Sequence, residues 1–120
     1  MQYIIIIYNL SMCIVVPPKF RWRPKPLSAH VNADVELLCD VSGSPKPRIE
    51  WIKNGEAVML DDYVQTTEGR NLKILGLIRS DQGMYQCIAT NEVGMIQAAA
   101  QLLVYETGKC PPYCGSYKHL

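Results

Sequence analysis

Few side chains in this 120-residue chain could carry chemistry, and they are poorly spaced for it. His30 and His119 stand near opposite ends with no metal-like or triad-like partners, so each reads as a solvent-exposed or structural histidine. Asp61 and Asp62 are consecutive. In an extended segment they point to opposite faces and cannot form a facing acid/base pair, which leaves a solvated turn. Cys110 and Cys114, in the run Cys-Pro-Pro-Tyr-Cys, match half of a zinc site, but the chain offers no second ligand pair. A local bridge, a bridge to another chain or an artefactual tail each accounts for them better than a metal. There is no glycine-rich phosphate loop and no nucleophile elbow. Neither an enzyme nor a bound cofactor is expected. A net charge of +1 gives no global field that would draw nucleic acid, so any binding must be local.

The remaining cysteines are better placed for architecture. Cys39, Trp51 twelve residues later, and Cys87 have the order and spacing at which a cysteine on strand B, a tryptophan on strand C and a cysteine on strand F meet between two sheets. Tyr85 lies two residues before the second cysteine, where its hydroxyl can turn back to a backbone group at the corner between strands E and F, and Asp81 and Gly83 supply the turn. Together they predict an all-β, immunoglobulin-like Greek-key sandwich of seven to eight strands. Five cysteines favour an oxidising compartment and a structural Cys39–Cys87 disulfide. The alternative is a reduced intracellular sandwich in which both thiols are small buried apolar groups.

The strands that must position these residues follow from alternation. Residues 1–16 are apolar and β-branched, with the length of a signal-peptide hydrophobic region but without a basic start or a small-residue cleavage site; they read equally as a leader or a truncated N-terminus. Cys13 would leave with such a leader, and the Asn9-Leu10-Ser11 sequon within it is not counted as a glycan site. The domain proper is expected over 17–106. Its strands are Lys19 to Lys25 with a resumption at Leu27 to Val31, then Val35 to Val41, Arg48 to Lys53, Asn71 to Leu75, Met84 to Thr90 and Met95 to Tyr105. Short edge strands fall near Val58 to Leu60 and Tyr63 to Thr66. Asn54-Gly55 marks a tight hairpin. The tail, 107–120, holds cysteines and prolines and is expected to be irregular.

Several runs carry a closer resemblance: Val41-Ser42-Gly43-Ser44-Pro45-Lys46-Pro47, Trp51-Ile52-Lys53-Asn54-Gly55, Asn71-Leu72-Lys73-Ile74-Leu75-Gly76-Leu77, Ser80 through Ala89, and Asn91-Glu92-Val93-Gly94. The region from Pro17 to Tyr105 resembles the I-set immunoglobulin domains of cell-surface receptors, and most of all the last such domain of the netrin receptor DCC, neogenin and protogenin family. The resemblance implies a non-catalytic recognition module, a fragment of the ectodomain of a type I membrane receptor in adhesion and axon guidance. Its expected partner is a protein ligand or a neighbouring immunoglobulin domain. The alternatives are a stand-alone secreted immunoglobulin protein acting as ligand or decoy, and an intracellular filament-associated I-set domain.

Two surfaces are candidates for contact. If Trp51, Cys87 and Leu102 point inward, period two puts Ile52, Met84, Gln86, Ile88, Gln97, Ala99, Gln101 and Leu103 outward on a face whose main charge is Glu50. Such a face suits protein docking. Lys19, Arg21, Arg23 and Lys25 alternate along the first strand, on one side of it, and form a candidate edge for weak binding of heparan-like polyanions. The competing role is to guard an exposed strand edge against pairing with other chains.

Overall fold

The computed structural model describes residues 4–8 and 11–106, and eleven strands run through them. One layer is a five-stranded sheet in the order β3 (Leu27–His30), β11 (Gly94–Tyr105), β10 (Gly83–Asn91), β6 (Arg48–Lys53) and β7 (Glu56–Ala57). Every pairing in it is antiparallel except β3 on β11. The facing layer has two parts. β4 (Val35–Leu37) pairs with β9 (Asn71–Ile74), which pairs with β8 (Val64–Thr67); β1 (Ile4–Tyr8) pairs with β2 (Ser11–Trp22), which pairs with β5 (Asp40–Ser44). The chain runs straight from β4 into β5, so these are two halves of one strand B, interrupted only at Leu38 and Cys39.

Alternation decides which side chains meet between the layers. On β10, Tyr85, Cys87 and Ala89 are buried; on β11, so are Ala100, Leu102 and Val104. Tyr85, Cys87, Leu102 and Val104 form one cluster with Trp51 of β6, with Leu37, Leu72 and Ile74 of the opposite layer, and with Leu77 of the loop after β9. Each fully buried aliphatic or aromatic side chain contributes about 1.5–3 kcal/mol relative to exposure. The β6–β7 turn is the expected one: Asn54 (φ 50°) and Gly55 (φ 86°) both adopt positive φ, as a two-residue turn matched to strand twist requires.

The strands differ from the sequence expectation in four places. The strand expected from Lys19 is β2, which begins at Ser11 and runs through Pro17 and Pro18, because a register shift between Val16 and Lys19 absorbs two residues that cannot donate to a ladder. It stops at Trp22, before Pro24. Strand B is split, which with β1 raises the count above eight. The edge strands fall at 56–57 and 64–67 rather than near 58–60 and 63–66. The tight turn uses Glu56 and Ala57 at once, opposite Lys53 and Ile52, and Val58 donates one further bond to the Trp51 carbonyl before the chain leaves the sheet. Asp61 then accepts from the amides of Tyr63 (2.7 Å) and Val64 (2.8 Å), which turns the chain into β8. Asn9, Cys110, Cys114 and His119 lie outside the described residues, as does the side chain of Cys13.

Candidate functional site

Three contacts fix the orientation of the β10 strand. The first is the Cys39–Cys87 disulfide, wholly buried, with Cα atoms 6.5 Å apart. Cys87 sits directly opposite Trp51 in the ladder, and the Trp51 indole N–H donates to the carbonyl of Arg70 at 2.8 Å, so the ring's one polar atom is satisfied. The second is the corner. The Tyr85 hydroxyl donates to the Asp81 carbonyl at 2.6 Å, and the Asp81 carboxylate accepts from the amide of Ile78 at 2.9 Å. Burial pushes the Tyr85 phenol up to about 12, with the nearby Asp81 charge adding to the shift. The third is Asn54, whose side-chain oxygen accepts from the amide of Met84 at 2.9 Å. This carboxamide lies so close that a Cβ on Gly83 would come within 2.8 Å of it.

With Tyr85 and Cys87 held inward, the intervening residues face out. Gln86 lies opposite Ile52 on one side and Ala99 on the other; Ile88 lies opposite Glu50 and Gln97; Met84 lies opposite Gln101. Met84 is 47% exposed, Ala99, Gln97 and Gln101 are exposed, and Ile52, Gln86, Ile88 and Leu103 are half-buried. The Gln86 amide donates to the Gln97 side-chain oxygen, tying β10 to β11 across the face. Glu50 forms an exposed ion pair with Arg48 at 3.4 Å, so its charge is locally offset. The result is a face of apolar and amide side chains whose one charge pair, Arg48 with Glu50, is internally offset.

The basic residues are arranged differently from the expectation. Lys19, Arg21, Arg23 and Lys25 are all exposed, but they do not share one side of a single strand. A second register shift between Phe20 and Trp22 makes Arg21 a bulge residue and breaks the alternation, and Arg23 and Lys25 follow the end of β2. Arg23 lies over the Phe20 ring at 5.2 Å and Lys25 over the Trp22 ring at 4.3 Å.

Two asparagines that sequence reasoning passed over hold the frame together. Asn71 is 2% exposed, and its oxygen accepts from the amide of Cys39 at 3.1 Å, at the point where strand B leaves the ladder. Asn91 donates to the carbonyls of Val16 (2.8 Å) and Pro45 (3.1 Å) and accepts from the amide of Val93 at 3.0 Å. Their signal in the sequence is only that Asn71 begins an apolar run and Asn91 ends one, where a polar residue must find partners or face water.

Among the described residues no three His, Cys, Asp or Glu side chains converge. One cleft, of about 500 Å³, mixes Arg21, Lys46 and Arg70 with Asp40 and Glu68, and Arg70 is paired with both acids. His30 is exposed and edge-on to Tyr105, with ring centroids 6.3 Å apart. Among the described residues no helix is long and apolar enough to cross a membrane.

Comparison with known proteins bears on the whole frame. Residues 18–104 match the immunoglobulin I-set domain. The chain is 47% identical over 96 residues to the netrin receptor DCC of Rattus norvegicus, covering 80% of this chain and 7% of that one. It is 44% identical over 96 residues to neogenin of Mus musculus (80% and 6%) and 47% identical over 94 residues to contactin-3 of Rattus norvegicus (72% and 9%). Thus the chain spans less than a tenth of the length of these relatives. Among solved structures it is similar to a chain of a titin–obscurin-like 1 Ig complex, with TM-score 0.73, 31% identity, and 78% and 99% of the two chains covered. It is also similar to the two-domain N-terminal Ig module of the Drosophila receptor protein tyrosine phosphatase Dlar, with TM-score 0.71, 31% identity, and 74% and 46% covered.

Proposed function

The chain belongs to the immunoglobulin I-set family, and on that premise we propose that it is a non-catalytic protein-recognition module of a cell-surface adhesion or guidance receptor. The observation that carries this reading is the 47% identity to an immunoglobulin domain of the netrin receptor DCC, over four-fifths of the chain. The contact surface is the outward face of β6, β10 and β11, centred on Ile52, Ile88 and Leu103, with Met84, Gln86 and Ala99 around them. Interfaces are depleted in charge at their centres, and this face carries no unpaired charge among its central residues. Its partner is a protein ligand or a neighbouring immunoglobulin domain. The surroundings of the domain are extracellular, in keeping with a disulfide at the core.

An antibody to the domain tests the placement: it should stain intact, unpermeabilised cells that express the gene. Staining only after permeabilisation, with free Cys39 and Cys87 thiols in native protein, would overturn it in favour of a filament domain. The likeness to the titin complex favours that second reading, although its 31% identity is well below the match to DCC. Domain found only in the medium would mark a secreted ligand or decoy.

A further inference from the structure

The charge of this domain is sharply segregated. Lys19, Arg21, Arg23 and Lys25 are the only charged side chains before Asp34, whereas from Asp34 to Glu106 eleven carboxylates stand against six lysines and arginines. A net charge near zero therefore conceals a basic strip on an acidic body. The ion pairs among the described residues involve Arg48, Arg70 and Arg79, and none involves the strip. All four strip cations are exposed. Two of them rest on aromatic rings, Arg23 on Phe20 and Lys25 on Trp22, which restrains the cation without neutralising it. Trp22 itself is 47% exposed. The bulge at Arg21 turns that side chain into the cleft that Lys46 also lines, adding a fifth cation to the flank.

We propose that this strip, Lys19 to Lys25 with Lys46 beside it, is a binding site for a linear sulfated polysaccharide of the heparan class. Lys19 to Lys25 spans at most about 20 Å, and although the bulge at Arg21 and the end of β2 at Trp22 spread its cations over more than one side, all four stay exposed along its length, which suits a linear polyanion better than a single small anion. Exposed Trp22 offers an apolar face on which a sugar ring can lie. Asp40 and Glu68 line the same cleft as Arg21 and Lys46 but are paired with Arg70, and the excess of carboxylates over the rest of the domain disfavours polyanions there. The choice of a glycan among polyanions rests on the extracellular placement proposed above; the charge segregation does not.

The test uses the full oxidised chain on immobilised heparin. Retention at low ionic strength and release by added salt are expected, since exposed charge contacts are screened within a Debye length of about 10 Å at 0.1 M. Arg21→Glu with Arg23→Glu should abolish retention, and Lys19→Gln with Lys25→Gln should lower the eluting salt concentration. Arg48→Glu with Arg79→Glu, the same change in net charge at exposed positions outside the strip, should leave retention close to that of the unaltered chain. Unchanged melting temperatures would establish that all variants are folded. Passage of the unaltered chain at low salt overturns the proposal, as does equal loss in the control pair, or a single-stranded oligonucleotide competing as well as heparin. Retention that survives both strip variants does so too. A domain that stains intact cells yet passes through heparin would sink the strip alone.

Discussion

Tyr85 and Asn71 each satisfy a polar group that burial would otherwise strand, and each does so across the gap between chain segments. The Tyr85 phenol donates to a carbonyl four residues upstream from inside the core. Its pKa is raised to about 12 from an ordinary value of 10.0, first by burial and then by the charge of Asp81. The folded state therefore holds this proton more tightly than the unfolded one. The resulting stabilisation is complete below pH 10 and is lost as pH rises through about 12. Denaturant midpoints should accordingly fall between these limits, and Tyr85→Phe should remove that component of the slope while costing about 1 kcal/mol at neutral pH for the lost hydrogen bond. A slope unchanged in the variant would assign the alkaline loss to other groups. Asn71→Leu leaves the buried Cys39 amide without its acceptor and should cost about 1–3 kcal/mol; a midpoint equal to the unaltered chain would mean that another acceptor replaces the carboxamide.

At the scale of strands, β10 separates what holds the fold from what faces outward. Its buried series, Tyr85, Cys87 and Ala89, carries the disulfide and the corner, while Met84, Gln86 and Ile88 stand on the other side. Ile88 is half-buried but outside the core cluster, so Ile88→Lys should lower the melting temperature only modestly. If the face is a docking surface, the same change should abolish saturable binding of the multimerised domain to intact cells. A large loss of stability would place Ile88 in the core, and intact binding would move the contact elsewhere. This part of the molecule was legible in the sequence because one period-two pattern runs unbroken through β10 and β11, anchored at each end by a turn signal. Strand B was less so. Leu37 and Cys39 alternate correctly, but the break between β4 and β5 arises where a side chain, Asn71, replaces a ladder partner, and no local pattern records a partner 32 residues away. The basic strip failed similarly: Lys19 to Lys25 alternates in sequence, yet the bulge at Arg21 depends on how β2 meets β5.

For the molecule as a whole, the bridge between the layers and the start of the first strand set how much of the chain is needed. The disulfide closes a loop with a sequence separation of 48, which in the chain-entropy model restricts the unfolded state by about 4 kcal/mol. Reduction, or Cys39→Ala with Cys87→Ala, should lower stability by about 2–5 kcal/mol, and equal denaturant midpoints for oxidised and reduced protein would remove the bridge from the account. The N-terminal boundary poses a sharper question, because an apolar β-branched run reads the same whether it is a leader or a strand. Val15 is only 4% exposed, and the carbonyl of Val16 accepts from Asn91, which also holds the Pro45 carbonyl. Pro17 and Pro18 approach Gly94 closely enough that a Cβ there would meet Pro18 at 3.2 Å. Val15 and Val16 thus contact the sandwich from upstream of the boundary expected at Pro17. A chain beginning at Pro17 loses the burial of one valine and one hydrogen bond, and should be about 2–3 kcal/mol less stable than the full chain. A chain beginning at Ile14 retains both residues and should recover most of that difference. Denaturant midpoints of the three chains decide it: if removing residues 1–16 leaves the midpoint where it was, Val15 and Val16 belong to a dispensable leader and the sandwich begins at the prolines.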